Sequence, residues 1–477
     1  MLRFSRRLQA LNPTTILVVV GLLGFQRLPQ AQSNQSPGTL VTLHDAVTLA
    51  LAKSPIVLNA QNAREQAALS MRLADSAFSF KVLPSALGSF GQNNLSNQNY
   101  GVSVSQKLQG GTELRGNVGA TSLRNQLGTY YNSDTTFEVR QPLLRGFGRS
   151  VTALPLFDAQ WRTLDANWQL GLAEQQIALE VATTYYAIVV QTRLLGVAET
   201  ALARANGLRD ASIARLATGR VSQLDVLRAQ QLASQSEAQV VDAQGSLADA
   251  QDRLSVLIGQ RPGTPFTVSD TVPEDVEDLD LDQAGSLAFE HRTEVRSAQA
   301  ASDESLRTIA AAKNQLRPQV DLNLAVTRQE TSDSLRFAFG LDQFHAATFA
   351  AVSMPLNRTV EEVGLQNAVI ERSRRERDVS AWRDRVAQEA RQAVRRQQRA
   401  VKSLALARTS LDLAQREVEV ATLRFQRGLS NNLDLVSAQA TLRGAESQEV
   451  AARAEVALAR LGVRAATGVL DPRRDIN

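Results

Sequence analysis

The chain has 477 residues and a formal net charge of +4; 43% of its residues are hydrophobic, 21% are charged and none is a cysteine. A chain of this length and apolar content can bury a sizeable core in more than one domain. The lack of cysteine excludes disulfides, thiolate metal sites, iron–sulfur clusters and cysteine nucleophiles, and three histidines leave little material for histidine-based catalysis.

The N-terminal segment has the pattern of a targeting signal. Three arginines precede an apolar stretch, Ile16–Phe25, and small and polar residues follow it up to Ala31. This order is typical of a secretory signal peptide, and the apolar stretch is too short for a membrane-spanning helix. We therefore expect residues 1–31 to be a signal peptide and the mature chain to leave the cytoplasm.

Residues 80–144 alternate between apolar and polar side chains. Tyr100, Val102 and Val104, for example, are separated by single glycine and serine residues. This period of two predicts strands with one apolar and one polar face. An apolar face against lipid and a polar face toward water fit a transmembrane β-barrel, and a soluble β-sandwich is the alternative. The segment LQGGTEL, at residues 108–114, predicts an additional hairpin in this region.

Long helices follow the strands. Residues 150–258 predict a helical hairpin in which the first helix is on the order of 100 Å long, and Gly219 lies where that helix should end. A linker at 261–282 begins with RPGTP and continues with acidic residues. Strands are again predicted at 317–356, and a second helical hairpin at 357–468.

The second hairpin carries two apolar heptad series. Alanine recurs every seven residues, and a larger apolar residue recurs four places later. The positions are Ala393, Ala400, Ala407, Ala414 and Ala421, with Leu404, Leu411, Val418 and Phe425. Seams of this length need neighbouring helices to cover them, and the strands are too few for one chain to close a large barrel. We therefore expect several copies of the chain to share one assembly.

The two halves are a tandem duplication. At a fixed offset of 209 residues, Arg215, Gly219, Leu224 and Asp225 correspond to identical residue types, namely Arg424, Gly428, Leu433 and Asp434. A glycine followed five residues later by Leu-Asp would rarely recur in the same register by chance. The duplication predicts a first repeat at 32–260 and a second at 283–477.

Four segments resemble the outer-membrane efflux protein family, the TolC-like outer-membrane factors. They are FEVRQPLLRGFGRS, VATTYYAIV, GRVSQLDVLRAQ and GLSNNLDLVSAQ. The resemblance implies a mainly α protein with a transmembrane β-barrel. In a homotrimer of such chains, an α-helical barrel is continuous with the outer-membrane β-barrel, and each protomer contributes two structural repeats. The resemblance further implies an outer-membrane location with a helical tunnel across the periplasm.

The same resemblance implies a function and a set of partners. The chain would be the outer-membrane exit duct of a tripartite efflux or type I secretion system. It would be a passive channel that is gated by the tips of its helical hairpins. A periplasmic adaptor (membrane fusion) protein and an inner-membrane transporter of the RND, ABC or MFS class would complete the system, and outer-membrane lipid would surround the barrel.

Candidate site residues follow from matching the family motif to the two hairpin turns. The resemblance places the pore constriction at Asp225, Asp434 and Phe425. It assigns adaptor contact at the hairpin tips to Gly219, Leu224, Gly428 and Leu433. Each aspartate has a second interpretation as a helix cap or first-turn acid, and Phe425 has a second interpretation as ordinary seam packing.

The sequence offers no catalytic constellation, so we predict neither enzymatic activity nor a bound metal or cofactor. The arginines between Arg372 and Arg399 are interspersed with acids, as expected for a solvated helix face with ion pairs rather than a nucleic-acid site. The alternative to the exit duct is a secreted coiled-coil scaffold without a pore.

Overall fold

A computed structural model describes residues 40–91, 96–125, 128–219, 221–276, 278–332, 344–427, 429–430 and 432–474. The predicted signal peptide at 1–31 and the tip residue Gly428 lie outside these ranges. Within them, no helix is both long enough and apolar enough to span a lipid bilayer.

The helices of the two halves follow the same order. The first half contains α1 (Leu43–Lys53), α2 (Pro55–Ser76), α3 (Arg149–Thr152), α4 (Leu154–Ala217) and α5 (Gln223–Leu257). The second half contains α6 (Leu281–His291), α7 (Thr293–Gln315), α8 (Thr359–Gln426) and α9 (Asn432–Ala466). With 64 residues in α4 and 68 in α8, each of these two helices is about 100 Å long. The two halves therefore share one order of long helices.

The strands form one large antiparallel sheet. They are β2 (Lys81–Phe90), β3 (Ser96–Lys107), β4 (Glu113–Asn125), β5 (Gly128–Pro142), β7 (Gln319–Ser332) and β8 (His345–Ser353). Their order in the sheet is β2-β3-β4-β5-β7-β8, so that β2 and β8 are the edges. A separate pair of short strands, β1 (Leu40–Val41) and β6 (Thr267–Val268), is parallel.

The additional hairpin predicted at 108–114 is present. Strands β3 and β4 meet at a tight turn in which the Gly111 N–H donates to the Leu108 carbonyl at 2.9 Å. This turn rests on the segment that leads from β5 into the helices, because the Gly148 N–H donates to the Gly110 carbonyl at 3.0 Å. Gly146 in that segment has a φ of 83°, a conformation that favours glycine.

With the additional hairpin, the first half contributes β2, β3, β4 and β5 to the sheet, and the second half contributes β7 and β8.

The heptad series of the second half, which was expected to need other copies of the chain to cover it, is covered largely by α9 of the same chain. Ala400, Leu404 and Ala407 of α8 form one apolar cluster with residues of α9, including Ala452 and Val456. Small residues on both helices let the two backbones approach closely, which is how alanine-rich coiled coils pack. The hairpin is thus held together by its own apolar seam.

The linker between the halves is hydrogen-bonded to both helical hairpins. Asp270 accepts two hydrogen bonds from the Arg193 guanidinium of α4, at 2.7 and 2.8 Å. Glu274 accepts from Arg408 of α8 at 2.6 Å and from Arg453 of α9 at 2.8 Å. These hydrogen bonds lower the pKa of the Glu274 carboxyl. The linker therefore crosses the middle of the helical region and contacts three of its long helices.

Candidate functional site

The first hairpin tip is a short turn between α4 and α5. Gly219 follows the end of α4 with a φ of 67°, and its N–H donates to the Leu216 carbonyl at 2.9 Å. A positive φ at this position satisfies the last carbonyls of a helix and is adopted most readily by glycine. Gly219, which the sequence predicts at the tip, therefore ends α4 and begins the turn that leads into α5.

Asp225 belongs to the cap of α5. Its carboxylate accepts from the Ser222 N–H at 3.0 Å and from the Ser222 hydroxyl at 2.6 Å, while its own N–H donates to the Ser222 Oγ at 3.2 Å. This reciprocal arrangement is a capping box. The hydrogen bonds from Ser222 lower the pKa of the Asp225 carboxyl. The geometry agrees with the helix-cap interpretation of Asp225.

The second tip lies against the first. The Asn432 side chain at the start of α9 is 1% exposed, and its amide donates to the Asp225 carbonyl at 2.9 Å. Asp434 follows in the first turn of α9 and is exposed. The structure thus brings the two predicted aspartates to neighbouring turns, and Asn432 joins the start of α9 to the Asp225 backbone.

Phe425 does not line an open surface of the protomer. Its side chain is 5% exposed and lies in an apolar cluster. The other members of this cluster come from α4, α5, α8 and α9: Ala205, Leu208, Ala229, Leu232, Ala233, Ala421, Leu435 and Ala438. A side chain enclosed by its own chain cannot narrow a pore. The prediction that Phe425 constricts the pore is therefore corrected to its alternative, packing between the two hairpins.

Arg215 joins the two hairpins at Phe425. Its guanidinium carbon lies 4.2 Å from the centroid of the Phe425 ring, and one of its NH groups donates to the Phe425 carbonyl at 2.9 Å. Higher on the hairpins, Arg204 pairs with Glu446 at 3.4 Å. The helices of different repeats are therefore linked by polar contacts as well as by apolar packing.

The tips expose leucines on their outer surface. Leu224 is 53% exposed and Leu433 is 49% exposed, and both were predicted to contact a partner. Sequence analysis missed Leu227 and Leu429, which are 53% and 66% exposed. The spacing of Leu224 and Leu227 by three residues was an available signal, since residues three apart share one face of a helix. Exposed leucines this close together indicate a contact surface.

The polar face of the sheet carries charged groups near its junction with the helices. Arg140 of β5 contacts Asp321 of β7 at 2.8 Å and Glu113 of β4 at 3.6 Å. The apolar residues Val102, Val118 and Phe137 lie on the opposite face and are 37% to 53% exposed. The sheet therefore has one charged face and one exposed apolar face, and no second layer of the described chain covers the apolar one.

The second half of the chain matches a known protein family. Residues 284–469 match the family described as outer membrane efflux protein. Protein CyaE of Bordetella pertussis is 28% identical over 200 residues, which are 41% of this chain and 41% of that protein. The chain therefore covers less than half the length of that relative.

Solved structures extend the similarity over nearly the whole fold. VceC, an outer membrane protein of Vibrio cholerae, superposes with a TM-score of 0.68 at 18% identity, covering 89% of this chain and 96% of VceC. The open state of the MtrE outer membrane channel of Neisseria gonorrhoeae gives 0.64 at 17% identity, covering 89% and 88%. At these identities the likeness shows a common fold.

Proposed function

We propose that the chain forms the outer-membrane exit duct of a tripartite efflux or type I secretion system, on the basis of the match of residues 284–469 to the outer membrane efflux protein family. The duct is a passive, water-filled channel, and an inner-membrane transporter supplies the energy. The chain itself catalyses no reaction.

The observation that carries this proposal is the open sheet. Among the described strands, β2 and β8 each have a single neighbour, and all nine residues of β8 are exposed. An edge strand presents unpaired backbone donors and acceptors, which cannot remain unpaired in lipid. Closure of the sheets of three copies into one barrel satisfies both edges, and the apolar face then lies against the outer-membrane lipid.

The helices support the same trimer. Leu406, Leu413 and Val420 recur every seven residues on α8 and are 71%, 60% and 55% exposed. A heptad stripe of this kind is a seam for another helix. Helices of adjacent protomers would cover it, and the helical hairpins would enclose a tunnel that continues from the barrel into the periplasm.

The hairpin tips would form the closed end of the tunnel. Three copies of Asp434 around a narrow opening form a ring of like charges that favours cations. The channel opens when the second hairpin moves away from the first, which breaks the contacts of Arg215 and Asn432. The exposed leucines at the tips, including Leu224 and Leu433, would bind a periplasmic adaptor. The adaptor connects the duct to an inner-membrane transporter of the RND, ABC or MFS class.

Reconstitution into planar lipid bilayers tests the proposal. Purified mature protein is expected to give discrete, long-lived conductance steps, and the same detergent without protein is the control. Folded protein that gives no steps would contradict the duct. So would release of the protein from outer membranes by sodium carbonate, the behaviour of a coiled-coil scaffold without a pore.

A further inference from the structure

The helices next to the sheet pack side by side in the order α2-α4-α7-α8, which we call the helix row. The Thr163 hydroxyl of α4 donates to the Ala67 carbonyl of α2 at 3.4 Å. The Ser297 hydroxyl of α7 donates to the Asp165 carboxylate of α4 at 2.6 Å, and α7 in turn packs along α8. Within the described chain, α2 and α8 are therefore the two ends of the helix row.

The ends of the helix row are continuous with the edges of the sheet. Helix α2 leads into β2, and β8 leads into α8, while β2 and β8 are the two edge strands. A barrel that closes through β2 of one copy and β8 of the next therefore brings α2 of one copy beside α8 of the next. Such an interface joins two different surfaces and closes on itself when it is repeated around a ring.

Two exposed leucines lie on the free side of α2. Leu69 is 59% exposed and Leu73 is 75% exposed, whereas Ala67 and Met71 are half-buried. Positions two apart in an α-helix lie about 200° from each other around its axis. The two leucines therefore lie on the side of α2 that is opposite to α4.

Helix α8 has the same arrangement near its beginning. Ile370 is 64% exposed and Val363 is 48% exposed, whereas Ala368 is buried and Leu365 is half-buried. Ala368 lies toward α7, because it lines a small cavity together with Ser305 of that helix. Ile370 and Val363 are each two positions from one of the covered residues, so they lie on the side of α8 that is opposite to α7.

The two apolar pairs lie at similar distances from the sheet. Leu73 is three residues from the end of α2, and Val363 is four residues from the beginning of α8. They are therefore about 5 and 6 Å from the helix ends that adjoin the sheet, and Leu69 and Ile370 lie about one and two turns further away. Leu406 follows Ile370 by about ten turns, so the exposed heptad stripe runs along the same side of α8.

We propose that Leu69 and Leu73 of one copy of the chain dock on Val363 and Ile370 of the next copy. The inference rests on the proposed duct and names the surfaces through which its helices meet next to the barrel. Removal of four exposed apolar side chains from water favours the contact. The occupant is a second copy because closure of the sheet edges brings that copy to this place.

Dissociation of the purified mature trimer in sodium dodecyl sulfate, followed as a function of temperature, tests the contact. Leu73→Glu should shift dissociation to lower temperature, because it places a carboxylate without a partner in an apolar contact. Val363→Lys should have a similar effect for the same reason. The two substitutions together should restore much of the loss, since a lysine of one copy then faces a glutamate of the next.

Leu164→Glu is the matched control. Leu164 is 52% exposed and belongs to α4, which has neighbours on both sides in the helix row, so its substitution should leave the dissociation temperature unaltered. Equal shifts in Leu73→Glu and Leu164→Glu would overturn the contact. A double variant that is no more stable than the less stable single variant would also overturn it, because residues that do not touch have additive effects.

Cysteine substitution gives a second readout. The Leu73→Cys, Val363→Cys variant should form covalent dimers and trimers on oxidation. Either single variant should run as a monomer under denaturing conditions, because the contact joins two different surfaces. Monomers alone, both in this pair and in pairs that use Leu69 or Ile370 instead, would overturn the proposal.

The outcome for this contact can be separated from the outcome for the duct. Conductance of the native protein reports on the duct, whereas the α2 and α8 variants report on the helix contact. A native trimer that conducts, in which Leu73→Glu behaves like Leu164→Glu, would overturn the contact and leave the duct proposal intact. In that outcome the exposed leucines of α2 belong to a surface for a different protein.

Discussion

The guanidinium of Arg215 lies 4.2 Å from the centre of the Phe425 ring and donates to the Phe425 carbonyl at 2.9 Å. The two residues are 210 positions apart and belong to different repeats. Their contact joins the end of α4 to the end of α8, which are the helix ends that would have to separate for the tunnel to open. The contact between Arg215 and Phe425 is therefore a direct target for testing how the tunnel opens.

Substitution of Arg215 by alanine should favour the open state of the channel. Loss of the ring contact and the hydrogen bond removes about 1–2 kcal/mol, which corresponds to roughly a 5- to 30-fold change in an equilibrium. Open time in planar bilayers measures the effect. The control is Arg424→Ala, because Arg424 occupies the equivalent position of the second repeat but is exposed. Equal effects of both substitutions would show that charge alone, and not the Phe425 contact, controls opening.

Replacement of Asp434 by alanine should raise single-channel conductance and lower the preference for cations. The physical reason is the loss of a ring of negative charge at a narrow opening. The matching change in the first repeat, Asp225→Ala, removes the acid that caps α5 through Ser222 and shows how far conductance depends on an acid at the other tip. Unchanged conductance in Asp434→Ala would remove Asp434 from the constriction.

The capping box of α5 should make the first tip sensitive to acid. The folded pKa of Asp225 is lowered by Ser222, so its contribution is present above the unfolded pKa of about 4 and is lost as pH falls through the lower, folded pKa. Asp225→Ala should destabilise the first turn of α5 by roughly 0.3–1 kcal/mol at neutral pH, because it removes an acid from the first turn and its bonds to Ser222. Hydrogen exchange of that turn, corrected for intrinsic rates, measures both effects. Equal protection in the variant and the native chain would contradict the role of the cap.

Contact between the edge strands can be tested by cysteine cross-linking, and the native chain has no cysteine to interfere. Ser85 of β2 and Ala351 of β8 lie on the same face of the sheet, because their ladder partners place both on the face of Arg115 and Asn323. The Ser85→Cys, Ala351→Cys double variant should form covalent dimers and trimers on oxidation. A series of variants in which one of the two cysteines is moved by two residues along its strand covers other registers of the two edges.

The control for this experiment replaces the β2 cysteine by one in an interior strand. A Thr136→Cys, Ala351→Cys variant should give no covalent trimer, because β5 already has neighbours on both sides. Trimers in the control, or only monomers across the whole β2–β8 series, would contradict closure through these edges.

Much of the fold could be predicted from local periodicity. Ala400 and Leu404 were predicted to lie on a seam because a heptad repeat defines one helix face, and both are buried. The glycine turn at Gly219 was predicted because few other residues end a helix in that conformation. Periodicity in the sequence shows which face of a helix is apolar. The seam and the glycine turn depend only on their own helix and on the helix that follows it.

Contacts between the repeats could not be predicted in the same way. Arg424 and Arg215 are equivalent by sequence, yet among the described residues only Arg215 contacts the Phe425 ring. The residue equivalent to Phe425 in the first repeat is Leu216, which offers Arg424 no ring. No pattern in the sequence singles out Asn432, and its contact depends on the position of the Asp225 carbonyl in the other repeat.

Electron cryomicroscopy of the purified mature protein in detergent tests the central claim most directly. The account predicts a particle with three-fold symmetry, in which each protomer adds six strands to one closed barrel and the helices continue as a tunnel with its narrow end at Asp434. A monomeric particle, or a trimer in which β2 and β8 remain unpaired, would contradict it.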